Sequence, residues 1–375
     1  METRTRTSSR RPVTLIGAGG LLAASVIALA GCASPGASAG GDGPKIVATT
    51  TQVGDFTREL LGGDAELTQL LSPGQSAHGF DPSAAQLLAL TNADALVVNG
   101  GGLESWLDDA IEASGFDGVL IDASTGIELF GTDDHAHDHD DEADAAEDAR
   151  DHDHDHDDDA GTDAADAHAD DHDHADDHEG HDHGDGNPHI WTDPELAEDM
   201  VENIADGLAT VDGLDAANLE ANETAYLAKL EALDDWIADN VEQVPAAERL
   251  LVTNHDAFTY FVDAYEVTFV GSIIPSFDDN AEPSAAEIDD LVAKIESTGV
   301  AAVFSEASLS PKAAETIAAE SGVAVYSGPD ALYGDSLGEA GSEGATYLGS
   351  QLHNARLILE SWGVVPTALP AALQG

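Results

Sequence analysis

The chain has 375 residues and a formal net charge of −62, from 74 acidic against 12 basic side chains. That balance excludes nucleic-acid recognition, which runs on Lys and Arg, and only eight of those follow Cys32; cations are the natural partners. With 42% hydrophobic residues and one cysteine, the body must fold by burying a core, without an intrachain disulfide.

Residues 1–31 read as a signal peptide: four arginines between Arg4 and Arg11 precede the apolar run VTLIGAGGLLAASVIALA, and small residues lead into LAGC. A single transmembrane anchor competes with this reading, but the run is short for a span and is interrupted by glycines. The residues before Cys32 resemble a bacterial lipobox, so Cys32 is expected to carry the lipid and to hold the body at the outer face of the membrane. Residues 32–44, with ASPGASAGGDGP, form a mobile tether. The arginine pair in SRRPV hints at twin-arginine export.

Residues 45–132 alternate strand-like and helical stretches, the pattern of an α/β lobe with a largely parallel sheet. Strands are expected at KIVATT, ELTQLL, ALVVNG and GVLID, and helices near Asp55 to Leu61, Ser83 to Leu90 and Leu103 to Ala113. Asp81 is the expected N-cap of the second helix, with Pro82 in its first turn. Residues 133–186 hold 25 acidic side chains and no Val, Ile, Leu, Phe, Tyr or Trp. Such a tract has nothing to offset the entropy of folding and is expected to be a disordered insertion.

Residues 187–214 complete the first lobe with a helix from Pro194 to Ala209. Residues 215–244 form one long helix, on which Leu219, Tyr226, Leu230, Leu233, Ile237 and Val241 share an apolar face. Roughly thirty residues span about 45 Å, enough to run along two lobes. Residues 245–375 repeat the α/β pattern. Strands are expected at RLLVTN, VTFVG, VAAVFSE and VAVYS, and helices at Ala257–Ala264, Ser284–Ser297, Pro311–Ser321 and Glu343–Trp362. Two α/β lobes joined by a long helix leave a cleft as the default ligand site.

Outside the tract only His78, His189, His255 and His353 remain. The first three lie at strand-to-helix junctions, where open α/β sheets bind ligands, and Asp335 after VAVYS belongs to the same class. His353 lies inside the last helix. Three imidazoles and a carboxylate suit four-coordinate Zn²⁺; a catalytic reading needs a nucleophile or an open metal position, and no motif supplies either. Such a site carries a net charge of +1 with Zn²⁺ and is expected to weaken below about pH 6, as imidazoles protonate.

The segments KIVATTTQVGDFTRELLGGDAEL, HGFDPSAAQLLALTNADALVVNGGGLESWL, NPHIWTDP, TNHDAFTYFVDAYE, VFSEASLSPKAAETIA and LYGDSLGEAGSEGATYLGSQLHNARLI resemble the zinc/manganese solute-binding proteins of bacterial ABC importers, the cluster A-I lipoproteins. The resemblance covers Lys45 to Trp362 except the tract. It implies two α/β lobes, a rigid connecting helix and one metal between the lobes, delivered by a monomer to a membrane permease with its ATPase. The family's ligands fall on His78, His189, His255 and Asp335. Ser76 and Ala77 stand where the family usually has Asp-Pro, which bears on the stiffness of the first loop. Histidine rather than glutamate at position 255 favours Zn²⁺ over the alternative, Mn²⁺, as does the order of metal affinities.

The function expected is therefore a non-enzymatic, extracytoplasmic zinc-binding lipoprotein; a manganese importer component, a surface adhesin and a zinc hydrolase are the alternatives. Glu306, at the end of VFSE, reads more simply as solvated or capping than as support for a ligand. NGGGLESW lacks a nucleotide-binding spacing and reads as a structural turn. Trp106, Tyr226 and Trp236 read as packing. In the tract, His135, His137, His139, His152, His154, His156, His168, His172, His174, His178, His181 and His183 make an auxiliary, low-affinity metal-gathering set. Ending near His189, the tract would hold metal at an effective concentration on the order of millimolar beside the cleft.

Overall fold

The computed structural model describes residues 43–131 and 186–374. Cys32 and the tract histidines, and with them the lipidation and auxiliary-metal expectations, lie outside the described residues.

The first half runs β1 (Lys45–Ala48), α1 (Thr51–Leu61), β2 (Glu66–Gln69), α2 (Ala84–Thr91), β3 (Ala95–Val98), α3 (Leu107–Ser114) and β4 (Val119–Asp122). The strands form one parallel sheet in the order β2-β1-β3-β4. The order reverses direction between β1 and β3, so the crevice beyond their carboxyl ends is where such a sheet takes a ligand. β3 (ALVV) is wholly buried, as a central parallel strand covered on both faces must be.

Next come α4 (Pro194–Leu208) and α5 (Ala216–Val241). Asp193 and Asp215 cap their first turns, accepting from Glu195 N and from Ala217 N and Asn218 N. α5 stops three residues short of the expected Val244, in turns before Pro245. Its buried face is Leu219, Tyr226, Leu230, Leu233, Trp236, Ile237, Asn240 and Val241, the expected stripe with Trp236 and Asn240 added.

The second half runs β5 (Leu250–His255), α6 (Thr259–Ala264), β6 (Thr268–Ile274), α7 (Ala285–Thr298), β7 (Ala302–Phe304), α8 (Lys312–Ser321), β8 (Ala324–Tyr326) and α9 (Tyr347–Ser361). β5 pairs with β6 and β7 with β8, both in parallel, and β7 lies beside β5. One hydrophobic core extends from Ile46 and Leu96 through Leu230 and Ile237 on α5 to Phe258, Phe304 and Ile358. α5 packs against α1, α4 and α9 and so braces both halves. A second core gathers around Val252, Val270, Leu291, Val303 and Ile317 in the second half.

Four helix starts need correction. α1 begins at Thr51, capped by Thr50, rather than near Asp55. The N-cap of α2 is Ser83, not Asp81: Ser83 and Gln86 form a reciprocal capping box that places Pro82 outside the helix. α3 begins at Leu107 rather than Leu103, because three glycines in the left-handed region (Gly100, Gly101 and Gly102) keep the preceding segment a turn. α9 begins at Tyr347, capped by Thr346, and residues 340–345 are turns and bends.

Candidate metal centre

His189 follows Asn187 and Pro188 and opens the turn before α4. The Asn187 amide donates to the Asp256 carbonyl at 2.7 Å and to Thr259 Oγ1 at 2.9 Å. Its Oδ1 therefore faces His189, accepting from the backbone N at 3.1 Å and from Nδ1 at 2.6 Å. An acceptor on Nδ1 fixes the proton there and leaves the Nε2 lone pair pointing the other way.

His255 ends β5, and the same arrangement recurs. Glu306 Oε1 accepts from His255 N at 3.0 Å and from its Nδ1 at 2.9 Å. Glu306 is 1% exposed, so the reading of a solvated or capping carboxylate is wrong: just beyond β7 the strand path continues into a bridge to Leu332, which carries Glu306 beneath the imidazole. Its other oxygen, Oε2, is buried without a partner. A Cβ on Gly334 would lie 2.2 Å from that oxygen, so only glycine lets the Asp335 loop pass this close.

Asp335 is 2% exposed. Its Oδ1 lies 2.8 Å from His189 Nε2 and 3.2 Å from His255 Nε2, and its Oδ2 has no hydrogen-bond partner. Asn354 of α9 holds the preceding Tyr333 by both backbone groups, at 2.8 Å each. His353, its neighbour, donates through Nε2 to the Ala331 carbonyl at 3.0 Å and is buried away from the cluster.

His78 sits in the loop after β2 and is held through its backbone. The Trp106 indole donates to the Ala77 carbonyl at 2.8 Å, and Ser105 Oγ donates to the His78 carbonyl at 3.1 Å. The turn that presents these two donors is itself wound around Glu104, whose carboxylate accepts from Asn99 N, Gly100 N and Thr49 Oγ1. Burial pushes the Glu104 pKa up to about 7 against those three donors. NGGGLESW thus stiffens the loop in which Asp-Pro is missing, and Trp106 does more than pack.

The four side chains offer ligand atoms within 4.8 Å of one another. His189 Nε2 lies 3.3 Å from both His78 Nε2 and His255 Nε2, and His78 Nε2 is 3.8 Å from Asp335 Oδ2. With Nδ1 of His189 and His255 already donating, these nitrogens meet as lone pairs, which repel unless a cation or proton lies between them. A tetrahedral Zn²⁺ with bonds of 2.0 to 2.1 Å has ligand-to-ligand edges of about 3.3 to 3.4 Å. The edges from His189 to the other two imidazoles match that spacing and His255 to Asp335 Oδ1, at 3.2 Å, is close to it, whereas His189 to Asp335 Oδ1 at 2.8 Å is shorter and His78 to Asp335 Oδ2 at 3.8 Å longer.

Burial pulls the His189 pKa down to about 4 against the pull of Asp335, so this ring is neutral at physiological pH. His255 goes the other way. Burial would lower its pKa, but the carboxylates of Asp335 and Glu306 outweigh it and hold the value well above 6.5. Burial likewise resists ionisation of Asp335, and His255 and His189 overcome it, keeping Asp335 ionised well below the usual range. Proton competition at this cluster therefore begins above the pH 6 expected from free imidazoles. Sequence reading missed Asn187 and gave Glu306 the wrong weight; the only signal for either was its position next to a strand end or a candidate ligand.

The sequence matches the family described as ZnuA, zinc-uptake complex component A, periplasmic, over residues 46–361. It is 27% identical over 333 residues to the manganese-binding lipoprotein MntA of Halalkalibacterium halodurans, covering 88% of this chain and 93% of the relative. It is 30% identical over 325 residues to the zinc-binding protein AdcA of Streptococcus pyogenes, covering 85% of this chain and 56% of the relative, so it spans little more than half of that protein's length. In fold it is similar to the periplasmic zinc-binding protein TroA of Treponema pallidum, with a TM-score of 0.67 and 22% identity over 85% of this chain and 99% of that one. A cadmium-bound periplasmic metal-binding protein from Candidatus Liberibacter asiaticus gives a TM-score of 0.65 at 19% identity, over 85% and 99% of the two chains. With parallel α/β halves of this fold and a match running from β1 to the end of α9, the chain belongs to the ZnuA family of periplasmic zinc-uptake components.

Proposed function

We propose that the chain is the zinc-binding component of an ABC importer, which takes up Zn²⁺ through His78, His189, His255 and Asp335 and hands it to a membrane permease. The supporting observation is the convergence of three imidazole nitrogens and one buried carboxylate within 4.8 Å of one another, two of the imidazoles oriented by acceptors on Nδ1. Four protein ligands leave a tetrahedral ion without an open position for an attacking water, so the ion is cargo rather than catalyst. In this reading residues 45–132 and 187–214 form one lobe, 215–244 the connecting helix and 245–375 the other lobe, with the cluster in the cleft between them.

Cys32 anchors the protein by its lipid at the extracytoplasmic membrane face, where it acts as a monomer. Among the described residues no helix is long and apolar enough to cross a membrane. The twelve tract histidines gather metal near the cleft at lower affinity and with less selectivity.

Manganese is the second reading, favoured by the likeness to a manganese-binding relative. Against it, Mn²⁺ prefers oxygen donors and binds more weakly than Zn²⁺ to a nitrogen-rich set. Competitive Zn²⁺/Mn²⁺ titration of the mature protein, with and without residues 133–186, decides between them. Tighter zinc than manganese binding in both forms, lost in His255→Ala, is expected; tighter manganese binding in the tract-deleted form overturns the choice.

A further inference from the structure

The loop bearing Asp335 belongs to the second half, yet the groups flanking this residue are bound by α1 of the first. Gln52 Nε2 donates to the Gly334 carbonyl at 3.1 Å, and Leu337 N donates to Thr51 Oγ1 at 2.8 Å. Thr51 Oγ1 in turn donates to Gln52 Oε1 at 2.9 Å. The directions are mutually determined. The single Thr51 proton goes to Gln52, so its oxygen is free to accept from Leu337, and the Gln52 amide nitrogen is left facing Gly334.

All four residues of this ring are buried or nearly so, with Thr51 3%, Gln52 1% and Leu337 5% exposed. Two further bonds brace the same stretch from outside its own half. Trp191 Nε1 donates to the Gly334 carbonyl at 3.3 Å, and Gly74 N donates to Ser336 Oγ at 2.7 Å. The hydrogen bonds from Thr51 and Gln52 hold the peptide on either side of Asp335.

We propose that Thr51 and Gln52 are positioning residues that clamp Asp335 into the metal's coordination shell, so that the anionic ligand is present only while α1 and the Asp335 loop remain engaged. The clamp rests on the metal-binding reading above. It gives the site an asymmetric release route: when α1, together with Trp191 and Gly74, draws away from the loop, the carboxylate leaves while Asn187 and Glu306 still hold His189 and His255 in place. A buried hydrogen bond acts through the geometry it fixes, so its loss weakens binding without deleting a ligand.

The test measures zinc affinity of the full mature chain by chelator competition at one equivalent of metal, with bound Co²⁺ absorption as a readout of coordination. Gln52→Leu is expected to lower affinity roughly tenfold and Thr51→Val about fivefold, with weaker tetrahedral Co²⁺ bands, while Thr51→Ser behaves as wild type. In an Asp335→Ala background Gln52→Leu is expected to have no further effect. Wild-type affinity in Gln52→Leu, or the same loss with and without Asp335, overturns the clamp. If Gln52→Leu does not fold, the contrast between Thr51→Val and Thr51→Ser decides alone, and equal behaviour of those two overturns it. His255→Ala separates the two levels: unchanged binding there sinks the metal-centre reading itself, whereas its loss beside an unaffected Gln52→Leu sinks only the clamp.

Discussion

His78 and the pair His189 and His255 are presented to the same cluster by opposite means. The pair is 0% exposed, and each ring is oriented through Nδ1 by a buried acceptor, Asn187 or Glu306. The His78 ring retains 6% exposure, and Ser105 and Trp106 support it through the backbone of its loop. The difference teaches that a site can be part fixed and part adaptable: two rings and Asp335 form a preset floor, and His78 closes the rim.

Ligand deletion is the strongest way to break this contrast. His189→Ala or His255→Ala should weaken zinc binding by a few hundredfold, a quarter share of the about 10 to 16 kcal/mol typical of four-ligand zinc sites. His78→Ala should cost only roughly tenfold, because water reaching the rim can take the lost nitrogen's place. Chelator competition measures all three, and equal losses would erase the distinction between floor and rim.

Glu306→Gln sharpens the comparison from beneath. It keeps the shape but removes the charge under His255, and zinc affinity should fall by about ten- to a hundredfold. Protons report the same change. Asp335 and Glu306 raise the pKa of His255, so protons compete with zinc for its Nε2 at higher pH than for a free imidazole and zinc uptake should release a proton there. Affinity should therefore drop as pH falls through neutrality, by up to about tenfold per unit while His255 is protonated. The ionised Asp335 and the neutral His189 add no competition in that window. Calorimetry in buffers of different ionisation enthalpy should find about one proton released by wild type and fewer by Glu306→Gln.

The smallest effect is expected at the first loop. Trp106→Phe removes the donor to the Ala77 carbonyl and should weaken zinc binding no more than about fivefold, the scale of one hydrogen bond. A larger loss would mean that the loop of His78 is as preset as the floor.

The alternation of strands and helices was legible because central parallel strands such as ALVV are apolar throughout and α5 carries its stripe at helical spacing. Candidate ligands could be picked from their place at the ends of strands, where this topology opens its crevice. The supports were not legible. Glu306 reaches His255 across 51 residues and Gln52 reaches Gly334 across 282, and no local pattern announces such meetings. The helix starts failed for a local reason: the Ser83 and Gln86 box and the turn wound on Glu104 depend on side-chain hydrogen bonds that compete with more obvious helix signals.

The central claim is that three imidazoles and Asp335 hold one ion at tetrahedral spacing. X-ray absorption of the mature protein loaded with one equivalent of zinc tests it most directly. Four nitrogen and oxygen neighbours at about 2.0 to 2.1 Å, with imidazole scattering reduced in His255→Ala, is the predicted result. A six-coordinate, oxygen-dominated shell, or a spectrum indifferent to His255, would contradict it.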